Sequence, residues 1–338
     1  MKPTCHECIE VKEVVKKKCM VQAALVLLLV LCFSCAAAQE AKDLTNACII
    51  SSPDKTSDKV HDGAYTSFWQ SRTNEKPHLE FQTPEGESAQ YLYICFAEMP
   101  EAWSIEEEIN GEWQTSIEGT TDYYHVLVAL NGKNHFRLVG ISEKKSYLKL
   151  NEVFVFSDGE LPDWVQQWEV PLDKADLLAL AAHPDDELLF LGGTIPYYAG
   201  EMGRKVQVAY LVPTMPYRRL ELLDGLWLCG VKNYPMIGHF PDKYQLTLKE
   251  MYAQKGWSRE SVYRFVAETY RACRPDVVVT QDVNGEYGHG AHRAVADAAQ
   301  AAIALAADEN NQEKMTHSEP WQVKKLYLHL YEQNPVKM

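Results

Sequence analysis

This chain is short of positive charge. Its 33 Lys and Arg face 47 Asp and Glu, which leaves a net charge of −14 at neutral pH. Apart from Lys16-Lys17-Lys18 it has no run of basic residues. Phosphate backbones are bound by clustered Lys and Arg, so nucleic acid is not an expected partner. Long hydrophobic runs are missing too. The stretch "AALVLLLVLCF", Ala23 to Phe33, falls well short of the about 20 apolar residues that span a bilayer. No internal repeat is visible. Cysteine is sparse once the first residues are set aside. Cys5, Cys8, Cys19, Cys32 and Cys35 lie near the N-terminus, leaving Cys48, Cys95, Cys229 and Cys273. Cys48 and Cys95 are available for one disulfide, whose geometry a sequence does not supply. Cys229 and Cys273 sit in apolar helical patterns, as core thiols do.

The N-terminal stretch has a plan of its own. Basic residues precede the short apolar run, and small residues at Ala36 and Ala38 precede a polar segment. That order predicts a secretory signal over residues 1–38 and a secreted or cell-surface protein with no transmembrane span in the mature chain. A short membrane anchor or a buried helix is the plainer reading of the same run. Cys35 is a candidate for lipid modification, and Met20 an alternative start. Cys5-x-x-Cys8 and Cys32-x-x-Cys35 superficially resemble two halves of a zinc ribbon, but the second pair closes the apolar run.

Hydrophobic residues make up 46% of the 338, enough for a core in each of about two domains. The rhythm changes between them. From about Ala47 to Ser157 the chain alternates with period two, as in "YHVLVAL" and "NHFRLVGI", with turns such as Asn131-Gly132. This predicts an antiparallel β-sandwich over 45–158. From Asp176 onward apolar strands alternate with helical stretches: Leu177–Ala182, Val206–Val212, Tyr234–Ile237, Val277–Thr280 and Leu326–Leu330. That order predicts a Rossmann-like α/β domain over 176–338, with a parallel sheet and helices on both faces. Between the two, 159–175 is rich in Pro, Asp and Trp and reads as a packed connector.

The stretch "LLALAAHPDDELLFLGGT" carries the chemistry. A buried strand stops at Pro184, which has no N–H for the ladder. His183, Asp185, Asp186 and Glu187 stand together there, just before an expected helix through "ELLFLGGTIPYYAGEMG". Ligands of open parallel sheets bind beyond the carboxyl ends of strands. A second cluster, "NGEYGHGAH", follows the strand "DVVVTQD" and brings His289 and His292 to a helix start. Singly, an acidic run is usually a solvated helix start and a His-x-x-His pair a surface feature. Each directly after a core strand, they predict a divalent metal site at one sheet edge.

"AHPDDE", "YRRLEL" and "GEYGHGAH", in that order, resemble the PIG-L deacetylase family from Asp176 to the C-terminus. The resemblance implies a Rossmann-like sheet, one Zn2+ per chain and removal of an N-acetyl group from an amino sugar. It further implies His183, Asp186 and His292 as metal ligands, Asp185 as general base, and His289 as general acid or oxyanion stabiliser. Arg218 matches a substrate-contacting arginine, although a helix-surface pair with Glu221 explains it equally well. Tyr287 is a further oxyanion donor or simply a packed turn tyrosine. Two departures stand out. The family commonly has His-Pro-Asp-His where this chain has His289-Gly290-Ala291-His292, and the missing Asp removes an orienting group. The chain also stops soon after "KKLYLHLY", where a final sheet element is expected. In the first half, "DKVHDGAYTSFWQS" and "LKLNEVFVFS" resemble a discoidin-like, galactose-binding-like module of the coagulation factor type C kind, which implies sugar binding; Trp69 there reads equally as core. The expected partner is therefore an N-acetylated sugar or glycan. The alternatives are a sugar-binding surface protein with an inactive hydrolase domain, and an amidase for another small molecule.

Overall fold

The computed structural model describes residues 39–53, 56–72, 76–120, 122–141, 147–213, 215–316 and 319–331. The expected leader over 1–38, with Cys35, lies outside them. Among the described residues no helix is long and apolar enough to cross a membrane.

Among the described residues the first half is a sandwich of nine strands: β1 (Ile49–Ser51), β2 (Trp69–Gln70), β3 (His78–Gln82), β4 (Ala89–Glu98), β5 (Ala102–Ile109), β6 (Glu112–Thr120), β7 (His125–Lys133), β8 (His135–Ile141) and β9 (Lys149–Phe156). They form two antiparallel sheets, ordered β1-β3-β8-β5-β6 and β2-β9-β4-β7. Leu92, Ile94 and Phe96 of β4 point between the sheets, where Phe81 and Phe136 stack 5.0 Å apart. Trp69 is buried in this same core.

The other face of β4 is also covered. Tyr93 and Cys95 pack with Val165 and Leu161 of the connector. This explains why "YLYICF" carries no polar residue: the strand has no solvent face. It also decides the cysteines. Cys48 packs against the inner core and Cys95 against the outer layer, so the sheet separates them and both are free thiols. The expected disulfide is not formed.

Residues 161–169 bind the two halves together. The Gln166 backbone N–H donates to the Tyr93 hydroxyl (3.2 Å), and its side-chain amide donates to Asp224 (2.5 Å). Trp168 stacks edge-on against Trp227 and Tyr234, while Tyr123 from the sandwich lies 4.7 Å from Tyr234.

The second half holds a parallel sheet of β10 (Leu177–Ala181), β11 (Val206–Tyr210), β12 (Met236–Ile237), β13 (Val277–Thr280) and β14 (Lys325–Leu328), in the order β12-β11-β10-β13-β14. Its helices are α1 (Asp186–Leu189), α2 (Pro216–Leu228), α3 (Leu248–Tyr252), α4 (Arg259–Cys273) and α5 (Gly290–Ala307). Alternate residues of β10 serve opposite faces. Leu178 and Leu180 meet α4 and α5, whereas Leu177 and Ala179 meet α2. Ala291, Ala294, Ala298 and Ala302 form the small-residue stripe of α5 that lets α4 approach closely. Cys273 is fully buried and Cys229 half-buried. The expected helix after Glu187 is broken. Only α1 and a π-helical turn, Pro196–Glu201, form, with Gly192, Gly193 and Pro196 between and at their ends. A Cβ at Gly192 would lie 2.1 Å from the Leu188 carbonyl oxygen, so the chain turns where only glycine fits.

His125, fully buried, hydrogen-bonds the Tyr93 hydroxyl at 2.7 Å. Burial pushes its pKa down to about 3. A histidine neutral in the fold but titrating near 6.5 when unfolded stabilises fully above pH 6.5, and that contribution is lost as pH falls toward 3. Stability is therefore expected to fall by up to about 1.4 kcal/mol per pH unit across this window from this group alone. Denaturation midpoints of the parent and His125→Gln, measured from pH 7 to pH 4, check this; equal slopes would refute it.

Candidate metal centre

The sheet order places the site. Connections from β10 run to β11 on one side, and the chain returns past β10 to β13 on the other. The carboxyl ends of β10 and β13 thus flank the point where strand order reverses, where a crevice opens. His183 follows β10, and His289 and His292 follow β13.

His183 Nδ1, Asp186 Oδ2 and His292 Nε2 form a triangle with sides of 3.1, 3.2 and 3.3 Å. Tetrahedral ligands at about 2.0–2.1 Å from a zinc-sized ion are separated by about 3.3 Å, so the three atoms fit such an ion. A wider grouping replaces Asp186 with His289; the donor atoms of His183, His289 and His292 all lie within 4.8 Å of one another. The tighter set with the carboxylate matches coordination distances better. Asp186 and His292 are buried, and an anion with two imidazoles there is stable only with a proton or a cation among them. Burial lowers the His183 pKa, but Asp186, Asp242 and Asp185 outweigh it and hold the pKa above its usual value.

Glu286 was not singled out from the sequence. It is fully buried, and its Oε2 accepts from His292 Nδ1 at 2.9 Å while Oε1 accepts from His329 Nδ1 at 2.8 Å and from the Asp282 N–H. Burial opposes its charge, but His292, the Asp282 N–H and His329 hold its carboxyl below the usual range. An ionised Glu286 keeps the proton of His292 on Nδ1 and leaves the Nε2 lone pair facing the triangle. This is the orienting carboxylate that the sequence "HGAH" lacks. The only signal was Glu286 lying within "NGEYGHGAH", six residues before the histidine it orients. Gly290 has its own reason: its N–H donates to the Gln245 carbonyl at 2.6 Å, and a Cβ would sit 2.9 Å from that oxygen.

Asp185 adopts φ 122°, which L-residues rarely occupy. Its N–H is held by Glu187 Oε2 at 2.9 Å. Glu187 is itself fully buried, and burial pushes its pKa to about 7; the Tyr210 hydroxyl lies beside it. The Asp185 carboxylate is half-exposed and accepts from Arg218 at 2.7 Å. Arg218 also lies 3.4 Å from Glu221, so it makes the helix-surface pair and the active-edge contact together. His289 stands at the N-cap position of α5 with no capping bond from its side chain, and its Nδ1 is buried without a hydrogen-bond partner. Burial, then the neighbouring His183 and His292, push its pKa down to about 4, so the ring is neutral near pH 7. Tyr287 has φ 42° and is 54% exposed, with its ring 5.2 Å from that of His292. Asp242, also unassigned from the sequence, stands 3.7 Å from His183 Nε2 on the loop after β12.

Residues 178–303 match the family described as PIG-L, GlcNAc-PI de-N-acetylase. This stretch is a PIG-L domain. The PIG-L domain contains every residue of the triangle, together with Asp185, Glu286 and His289. Among curated relatives, the chain is 29% identical over 193 residues to the 1D-myo-inositol 2-acetamido-2-deoxy-alpha-D-glucopyranoside deacetylase of Kineococcus radiotolerans, covering 48% of this chain and 53% of that protein. It is 31% identical over 182 residues to the Rhodococcus jostii protein of the same name, covering 46% and 61%. The chain thus spans between half and two thirds of the length of these relatives. The first half is similar to a family 32 carbohydrate-binding module of Clostridium perfringens, solved in complex with galactose, at 12% identity and a TM-score of 0.30, covering 35% of this chain and 99% of the module. An F5/8 type C domain of Bacteroides fragilis gives 12% and 0.29, covering 37% and 99%.

Proposed function

We propose that this protein is an exported, metal-dependent N-deacetylase that removes the acetyl group from an N-acetylated amino sugar or glycoconjugate, with one Zn2+ held by His183, Asp186 and His292. The observation that carries the reading is the 3.1–3.3 Å triangle at the reversal point of the sheet, inside the PIG-L domain. A zinc-class ion there supplies polarisation of the amide carbonyl and lowers the pKa of a neighbouring water toward about 7. Asp185 accepts the water proton and returns it to the departing nitrogen. The C–N bond breaks, a C–O bond forms, and acetate and a free amine leave for one water consumed. His289, neutral, donates a hydrogen bond to the oxygen on which charge develops. Arg218 steadies the Asp185 carboxylate and, with Tyr287, faces the substrate. The β-sandwich recruits glycan, and export rests on the leader over 1–38.

Support for an active enzyme over an inactive binding protein comes from the full set of groups. His183, Asp185, Asp186, His289 and His292 are all present, and Glu286 supplies the missing orienting carboxylate. The test is acetate release by the metal-loaded full chain from a panel of N-acetylated sugars and glycans. Acetate and free amine are expected in equal amounts from the N-acetylated sugars. Release from acetamides lacking a sugar at the same rate would favour the amidase reading, and no release from any member would refute both.

A further inference from the structure

Far from the metal centre in kind, a cavity of about 370 Å³ lies where the sandwich, the connector and α2 meet. Its size falls in the range of about 300–1,000 Å³ usual for small-ligand sites. Tyr65, Tyr93 and Phe154 line it from the sandwich, Trp164 from the connector, and Asp224 and Trp227 from α2. The rings present faces and edges to one another: Phe154 to Trp164 at 4.8 Å and 64°, Tyr93 to Trp164 at 5.8 Å and 65°. Trp164 is 42% exposed and leaves the cavity open to solvent.

The polar capacity of this cavity is one-sided. Trp227 Nε1 already donates to the Asp163 carbonyl at 2.7 Å. The Tyr93 hydroxyl is taken up by His125 and the Gln166 N–H. Gln166 spends Nε2 on Asp224 Oδ1 and Oε1 on Trp168 Nε1. Tyr65 stabilises the same Asp224 carboxylate. What faces the space is chiefly an acceptor, the Asp224 carboxylate, among aromatic rings, with the second N–H of the Gln166 amide beside it. A sugar hydroxyl and an ammonium group can both donate to this carboxylate, but only the ammonium adds a full positive charge that the carboxylate and the ring faces attract. Trp227 already carries the Lys232 ammonium, with Nζ 3.3 Å from its ring centroid, so the ring offered to a ligand is Trp164.

We infer that this interdomain cavity binds a protonated amino sugar, with its ammonium on Asp224 and its apolar face against Trp164. The choice of ligand rests on the deacetylase reading, because the product of that reaction carries such an amine and its substrate does not. The cavity would therefore hold the enzyme on glycan that has already lost acetyl groups. Burial raises the Asp224 pKa, and a bound ammonium offsets that cost.

The test titrates full-length protein with glucosamine, N-acetylglucosamine and glucose at neutral pH, read by tryptophan fluorescence and calorimetry. Glucosamine is expected to bind at least about ten-fold more tightly than either neutral sugar. The preference should persist in His292→Ala, which excludes the metal centre as the binding site, and vanish in Asp224→Asn. Should Asp224→Asn fail to fold, Trp164→Ala is expected to lose binding while circular dichroism still shows a folded protein, although removing its ring contacts with Tyr93 and Phe154 lowers the melting temperature. Equal affinities for the three sugars, no binding of glucosamine, or a preference that survives Asp224→Asn or Trp164→Ala would overturn the inference. The two readings fail separately. Acetate release without selective glucosamine binding sinks only the cavity, and selective binding without acetate release sinks only the deacetylase.

Discussion

Stripping divalent metal from the full-length protein is expected to abolish acetate release, and adding Zn2+ to restore it with one ion per chain. The reason lies in the ligand count. His183, Asp186 and His292 supply three atoms 3.1–3.3 Å apart, and a site with three protein ligands has no spare one. His292→Ala should accordingly lose both the ion and the activity. Glu286→Gln should be milder. It keeps a group beside His292 Nδ1 but removes the charge that fixes its proton, so metal affinity should fall about 10–100-fold with the fold intact. Metal content by elemental analysis and turnover at graded Zn2+ concentrations measure both effects. Full activity in metal-free protein would end the metal mechanism. Undiminished metal in Asp186→Ala, with loss in His289→Ala, would instead select the three-histidine grouping.

Asp185→Asn is expected to keep the ion and lose about 10²–10⁴-fold in turnover. The substitution preserves size and removes only the ability to accept a proton. Asp185 is held from both ends, by Glu187 at its N–H and by Arg218 at its carboxylate, in a backbone conformation with φ 122°. Strain of about 1–3 kcal/mol at a single residue persists only where the surroundings enforce it, and it marks a group whose direction matters. Turnover and metal content of purified Asp185→Asn decide the matter. Metal loss as large as that of Asp186→Ala would make Asp185 a ligand and overturn the division of roles.

Much of the fold is legible in residue order because it depends on local periodicity. Alternation in "HFRL" and unbroken apolar runs in "LLALAA" and "DVVVT" separate half-exposed antiparallel strands from strands of the parallel sheet. "YLYICF" is the instructive exception. It looks like a sandwich strand with a misplaced apolar face, and only the packing of Val165 and Leu161 onto Tyr93 and Cys95 explains it. The same layer separates Cys95 from Cys48, a fact about sides of a sheet that no spacing encodes. The broken helix after Glu187 was readable in part, from Gly192-Gly193 and Pro196, yet the apolar pattern concealed it.

The sequence by itself determined the chemistry available: His183, Asp185 and Asp186 at one strand end, His289 and His292 after another. Those residues are close in sequence to the strands that carry them, so local pattern suffices. The tertiary structure alone decided how they are used. Bringing β10 beside β13 unites clusters about a hundred positions apart into one triangle, and Glu286 gains its role only because the turn before α5 folds back on His292. Likewise the Asp224 cavity draws its walls from three separate parts of the chain. Proximity of that kind arises from the order in which strands pair and helices cover them. It is a property of the whole packed core, and no short stretch contains it.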